Sequence, residues 1–332
     1  MHLYLQEGVK PKKTKKNKKK EKNSKPEKQK KTFFREMPRL PVGQGHIMYY
    51  ETFGSKKNTP IVILHGGPGG GITRYILKLF DLKKWYVILY DQRGCGKSTP
   101  RLELKDNTTW HLVEDLELLR KHLGLERWAV YGGSWGTTLA LAYASKYLES
   151  ITAFVLRGVC LFTDEENAWM FEKGHASEVF PNAWKKVVKP LRKGTRKIIP
   201  PYFRLLQDKR TRKAAAIRWT EYEESLSHLI PRPYKPDEKA DVESAVLENY
   251  YFLHNGWITP EGLLKTAAKI KVPVILIHGR YDMVCPASSA IRLHETIPHS
   301  KLILVPNSGH ATNEKGITNT LKKELSRLET RL

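Results

Sequence analysis

Ser134 sits at the centre of Gly132-Gly133-Ser134-Trp135-Gly136, a G-x-S-x-G pattern. Ahead of it, Trp128 to Tyr131 reads as a strand; behind it, Ser134 through Tyr147 reads as a helix. In that setting a sharp strand-to-helix turn lifts a serine hydroxyl above the end of a sheet. A serine needs a base to take its proton and a carboxylate to orient that base, and with such a turn the chain order is nucleophile, acid, histidine. Asp282, just past the strand Val272–Ile277, and His310, just past the strand Lys301–Val305, satisfy both the order and the strand-end position. His65, His278, His294 and His299 lack one or the other.

A serine nucleophile also needs donors for the developing oxyanion. The run His65-Gly66-Gly67-Pro68-Gly69-Gly70-Gly71 follows the strand Ile61–Leu64 and carries more glycine than a loop tolerates without a reason. It predicts one donor, the Gly67 N–H, and the residue after the nucleophile supplies the other, the Trp135 N–H. A phosphate cradle is a poor fit, because the run has neither a Walker lysine nor the spaced glycines of dinucleotide-binding turns. Gly96-Lys97-Ser98 looks like the end of a P-loop, but Asp91 stands where that motif needs glycine. Asp91-Gln92-Arg93-Gly94 is therefore read as a structural loop whose arginine anchors carbonyls or a carboxylate.

The elements that must position these groups alternate in type. Strands are expected at His46–Phe53, Ile61–Leu64, Trp85–Tyr90, Trp128–Tyr131 and Ala153–Leu156, with an amphipathic helix at Thr109–Leu123. Such alternation implies an α/β fold: a mainly parallel sheet with helices on both faces. From about Thr163 to Pro260 the pattern turns helical and aromatic, and strands resume at Val272. The expected organisation is a lysine-rich tail at 1–36, the first part of an α/β core at 37–162, an inserted helical lid at 163–262 and the second part of the core at 263–332.

Composition sets the outer limits. The 332 residues carry a formal net charge of +24, and residues 10–31 alone hold 13 lysines against two acids, or +11. That segment lacks the apolar side chains to form a core and is expected to be disordered; a contact with nucleic acid or another anionic surface is its functional reading, an inert solubilising extension the alternative. No apolar run reaches membrane-spanning length, and the first residues lack the apolar segment of a signal peptide. Three widely spaced cysteines, Cys95, Cys160 and Cys285, fit neither a disulfide framework nor a zinc site. A soluble cytoplasmic protein is the expectation.

Taken in order, His65-Gly66-Gly67-Pro68-Gly69, Asp91-Gln92-Arg93-Gly94-Cys95-Gly96-Lys97-Ser98, Gly132-Gly133-Ser134-Trp135-Gly136 and Gly279-Arg280-Tyr281-Asp282 closely resemble the prolyl iminopeptidases, from about Gly45 to the C-terminus. The resemblance implies the α/β-hydrolase fold and a metal- and cofactor-free serine aminopeptidase that releases an N-terminal residue, preferably proline, from short peptides with a free N-terminus. It also implies a carboxylate pair for the substrate's amine, at Glu223 and Glu248, with Glu224 the neighbouring register. The substrate pocket would include Cys160, Trp169 and Phe252. Cys160 stands where the family often has an aromatic residue, which predicts a weakened ring contact and a relative gain for small residues such as alanine. Other readings are an esterase or amidase on the same scaffold and, from another class, a protein that binds nucleic acid or anionic surfaces through its tail.

Overall fold

The computed structural model describes residues 38–332. The lysine-rich tail lies outside the described residues. The chain runs β1 (Arg39–Gly43), β2 (His46–Phe53), β3 (Thr59–Leu64), β4 (Trp85–Tyr90), α1 (Thr109–His122), β5 (Trp128–Gly133), α2 (Trp135–Tyr147) and β6 (Ile151–Arg157). Helices follow: α3 (Asp164–Phe171), α4 (Ala176–Val179), α5 (Pro181–Val188), α6 (Ile199–Gln207), α7 (Arg212–Ser227), α8 (Glu238–Leu253) and α9 (Pro260–Ala267). Then come β7 (Val274–Gly279), α10 (Ala287–Thr296), β8 (Lys301–Val305) and α11 (Lys315–Glu329).

The strands form one sheet in the order β1-β2-β4-β3-β5-β6-β7-β8, antiparallel at β1/β2 and β2/β4 and parallel from there on. Every residue of β4, β5 and β7 is buried, as strands covered on both faces require. One face packs Val62, Ile88, Val130 and Leu156 against Leu116 of α1 and Leu139 of α2; the other packs Ile61, Val87 and Val155 against Leu321 and Leu325 of α11. Because the strands from β3 onward are parallel, their C-terminal ends share one edge, and the loops from that edge carry the serine, the acid, the histidine and the glycine run.

β1 was not anticipated from the sequence. It is a five-residue edge strand containing Pro41, with its register shifted between Pro41 and Gly43, and only its buried Leu40 and Val42 show the alternation of a strand. Proline is tolerated there because an edge strand leaves one row of N–H groups unpaired.

The helices between β6 and β7 have their own core, built on Phe171, Trp184, Tyr202, Trp219 and Tyr222. α7 packs against α8, which brings a face of each towards the sheet's C-terminal edge. The loop after β4 is fixed by Arg93, whose guanidinium donates to both oxygens of buried Asp115 at 2.7 Å and to the carbonyls of Asp106 and Val42. The arginine thus anchors the carboxylate and the carbonyls that its place in the sequence suggested.

Candidate active site

β5 turns into α2 through Ser134, whose φ of 56° and ψ of −127° lie in a region costly for a residue with a side chain. The turn is held from both sides: the Ser134 N–H donates to the Arg157 carbonyl at 2.9 Å, and the Thr137 N–H and hydroxyl donate to the Ser134 carbonyl at 2.7 and 2.8 Å. Gly136 is needed because a Cβ there would overlap the Leu64 carbonyl, so only glycine lets α2 approach β3 this closely.

Asp282 follows β7 and His310 follows β8, and the Asp282 Oδ2 accepts the His310 Nδ1–H at 2.6 Å. The other carboxylate oxygen accepts the N–H groups of Val284 and Cys285 at 2.9 and 2.8 Å. Burial pushes the Asp282 carboxyl up, but His310, His278 and these donors outweigh it and hold the group below the usual aspartate range. An ionised Asp282 fixes the hydrogen on Nδ1 and leaves Nε2 as the basic nitrogen. Buried His278, 3.4 Å from Asp282, is held neutral by desolvation; its Nδ1 accepts the Val159 N–H, so its Nε2–H donates to the Cys285 carbonyl. The Ser134 hydroxyl makes no hydrogen bond to His310 here; the imidazole Nε2 instead has the Arg157 Nη1 at 3.2 Å. Catalytic hydrogen bonds are often formed only once substrate is in place.

Gly67 has a φ of +108°, and a Cβ there would sit 2.6 Å from the Gly69 nitrogen. Neither the Gly67 nor the Trp135 N–H has a hydrogen-bond partner among the described residues, which leaves both as donors. Gln92 ties the two loops together. Its side chain donates to the His65 carbonyl at 3.0 Å and accepts the Trp135 indole N–H at 3.1 Å, while its own N–H donates to the His65 Nε2.

Ser134, His310, Gly66, Gly67 and Trp135 open on a cavity of ≈ 270 Å³ whose far wall is formed by the helices between β6 and β7. On that wall Glu223 of α7 and Glu248 of α8 meet carboxyl to carboxyl. The Trp219 indole donates to the Glu248 Oε2 at 2.7 Å. Glu248 is pushed up to about 7 by burial. Glu223, half-buried on the cavity wall, is driven well above the carboxylate range, first by burial and then by the charge of Glu248. No cation pairs with either group among the described residues, so near neutral pH the pair on its own holds on to a proton. Glu224 also reaches the cavity but is about half exposed and lies 3.9 Å from His228, which favours the Glu223 register for the pair.

Cys160 and Phe252 line the cavity. Trp169 does not. Its indole donates to the Met283 carbonyl at 3.0 Å, and the ring borders a separate depression with His175 and Pro286, because its helix turns Met170 and Phe171 inward instead. Phe162 lines the cavity beside Cys160, stacks on Phe252 with centroids 4.9 Å apart and meets the Trp135 ring edge-on; Phe171 packs edge-on against Phe252. Phe162 and Arg157 were missed as site residues. The sequence signal for Arg157 was a charge ending an otherwise apolar buried strand. His65, Asp91 and Cys95 place donor atoms within 4.8 Å of one another, as a metal site would. Those donors are already committed: His65 Nε2 accepts the Gln92 N–H, and the Asp91 carboxylate accepts from Ile72 and Lys97.

Residues 59–316 match the α/β hydrolase fold family. A protein of Leptolyngbya boryana named "Probable proline iminopeptidase" is 43% identical over 292 residues, covering 85% of this chain and 90% of its own. The proline iminopeptidase of Arabidopsis thaliana is 38% identical over 292 residues, covering 85% and 77%. Among solved structures, the proline iminopeptidase of Mycobacterium smegmatis superposes with a TM-score of 0.57 at 19% identity, covering 89% of this chain and 99% of that one.

The carboxyl pair carries a stability signature. Groups whose folded-state pKa is raised contribute stability at low pH that is lost as pH rises through the folded value, here about 7 for Glu248. Glu248→Gln should therefore melt about 2–4 °C above the wild type at pH 8.5 for each kcal/mol of repulsion relieved, and the gap should shrink towards pH 5.5. Melting curves of the two proteins across that range check it; a gap independent of pH would mean that the pair is not strained.

Proposed function

The chain belongs to the proline iminopeptidases of the α/β-hydrolase fold, and from that premise we propose a serine aminopeptidase that removes an N-terminal residue, preferably proline, from short peptides through an acyl-enzyme. The observation that carries the choice over an esterase is the carboxyl pair facing Ser134 across the cavity. The free α-amine of a peptide titrates at about 7.7–8.0 and is largely cationic near neutral pH. A neutral acyl group would leave the carboxyl pair without a partner, whereas an ammonium group donates to both carboxyls and balances the single negative charge that the pair carries with its shared proton.

In this reading Ser134 attacks the scissile carbonyl as His310 Nε2 takes its proton, with Asp282 holding the imidazole in the tautomer that can accept it. The Gly67 and Trp135 N–H groups receive the oxyanion. The imidazolium then protonates the leaving nitrogen, and water enters by the same route in reverse. The clamp sets the length of the site: with the amine fixed at Glu223 and Glu248, only the first peptide bond reaches Ser134, which is what makes an exopeptidase. The helical segment 163–262 serves as the lid that carries the clamp and excludes water. Free, buried Cys95, Cys160 and Cys285 support a cytoplasmic setting, where thiols stay reduced. Among the described residues no helix is long and apolar enough to cross a membrane.

Purified protein should release the chromophore from proline p-nitroanilide, unaffected by chelators, and Ser134→Ala should lower kcat by several orders of magnitude without displacing the melting curve. Turnover that survives in the variant would remove Ser134 from the mechanism. For the pocket, Phe162→Ala should cost about 10–200-fold in kcat/KM on the proline anilide, the range of one lost apolar contact, and much less on the alanine anilide. Equal losses on both would place Phe162 outside the ring-binding wall.

A further inference from the structure

Arg157 ends β6 at the catalytic edge of the sheet with its side chain only 8% exposed. Its Nη1 donates to the His310 carbonyl at 2.9 Å and lies 3.2 Å from the His310 Nε2. Its Nη2 lies 2.6 Å from where a Cβ on Gly133 would be, so the guanidinium covers the residue just before the nucleophile. The Nε is buried without a partner. No carboxylate of the described residues lies within ion-pair distance; Glu224, the acid on the nearest cavity wall, faces His228 instead. A guanidinium cannot lose its charge, and a buried charge without a counter-ion is strongly unfavourable, so the site is built to receive an anion.

We propose that Arg157 binds the α-carboxylate of the leaving residue, so that the preferred substrates are dipeptides whose second residue ends the chain. The inference rests on the aminopeptidase reading, which fixes where the two halves of the substrate go. The amine end is held at Glu223 and Glu248. The leaving nitrogen must come within hydrogen-bond reach of the His310 Nε2, which protonates it. In a dipeptide the carboxylate carbon is two bonds from that nitrogen, and the Arg157 Nη1 is 3.2 Å from Nε2, so the carboxylate falls beside the guanidinium. A second cavity of ≈ 390 Å³ shares Arg157, Gly66 and Gly70 with the first and is lined by Ile63, Ile72 and Ile76, which gives an apolar leaving side chain its place. The carboxylate also frees the base. Before substrate binds, the Nη1 occupies the Nε2 lone pair that must take the Ser134 proton, and a carboxylate that draws the guanidinium away returns that lone pair to the serine.

The test is a substrate series on the wild-type protein, with proline p-nitroanilide as reference: prolyl-alanine, its C-terminal amide, and prolyl-alanyl-alanine, whose carboxylate lies one residue too far. The dipeptide acid should exceed the amide and the tripeptide about 10- to 100-fold in kcat/KM, the range of one charge-assisted interaction. Arg157→Gln should bring the acid-to-amide ratio near one, and Arg157→Lys should keep part of it. The ratio is the readout, because the bond to the His310 carbonyl makes a general loss of rate expected in either variant. A flat series with the anilide still cleaved overturns this proposal and leaves the aminopeptidase reading standing. So does an acid-to-amide ratio that survives in Arg157→Gln. Failure to cleave the anilide or any of the peptides defeats the aminopeptidase reading itself.

Discussion

Two carboxyl groups set against each other, with a tryptophan N–H and the Ser244 side chain beside Glu248 and no cation among the described residues, are unfavourable in the protein without substrate, and the rest of the site is arranged around that cost. α7 and α8 can hold Glu223 and Glu248 together only because the surrounding core of Phe171, Tyr202, Trp219 and Tyr222 is packed tightly enough to fix both helices. The strain has a chemical direction: what relieves it is a positive charge of the size of an ammonium group, at one point of the cavity, on the wall facing a serine. In the proposed aminopeptidase, substrate choice thus follows from where a repulsion is placed, and Phe162, Phe252 and Phe171, which line the same cavity, refine the choice.

In the proposed mechanism the hydrolytic groups are held by the sheet, and the carboxyl pair that clamps the amine by the inserted helices, so the two must be kept in register. The structure joins them directly at the histidine loop. The Ala311 N–H donates to the Ser227 carbonyl at the end of α7 at 2.8 Å, and the Leu229 N–H donates to Glu314 at 2.7 Å. Four residues beyond Glu223, the clamp helix is therefore bonded to the neighbour of His310. Glu166 performs the same service on the other side, where its carboxylate accepts the Leu161 and Thr163 N–H groups and the Ser289 hydroxyl, tying the start of α3 to α10. Gln92 completes the frame by linking the glycine run to Trp135.

The parts of this arrangement that were readable in the sequence are those with a local cause. Strand and helix alternation, the glycine-flanked serine and the two strand-end residues Asp282 and His310 each leave a mark within a few residues. β1 was missed because a five-residue edge strand with a proline carries almost no periodicity. The pairing of Glu223 with Glu248 came from family resemblance rather than from the residues, since either glutamate alone looks like a solvated helix position. The sequence puts Trp169 in the pocket, whereas it packs outside it, and Phe162, two positions beyond Cys160, is the ring that faces the cavity, because which side of a short segment faces a cavity is decided by packing against residues more than 80 positions away, such as Phe252. Arg157 went unassigned for a similar reason: its meaning lies in the missing counter-ion, and an absence has no sequence motif.

In the proposed aminopeptidase the charged amine, recognised by the carboxyl pair, selects the substrate. The most direct measurement of that selection compares the p-nitrophenyl esters of proline and of cyclopentanecarboxylic acid, which share ring, carbonyl and leaving group and differ in the amine alone. The ratio of their kcat/KM values cancels Ser134 and His310 and leaves the clamp. A ratio of about 100 or more is expected near pH 7.5, the effect of charge-assisted contacts to two carboxyls, falling as pH drops below about 7, where Glu248 takes up its proton and the pair no longer attracts a cation. A ratio near one, or one that stays constant from pH 5 to pH 8, would contradict selection by the amine.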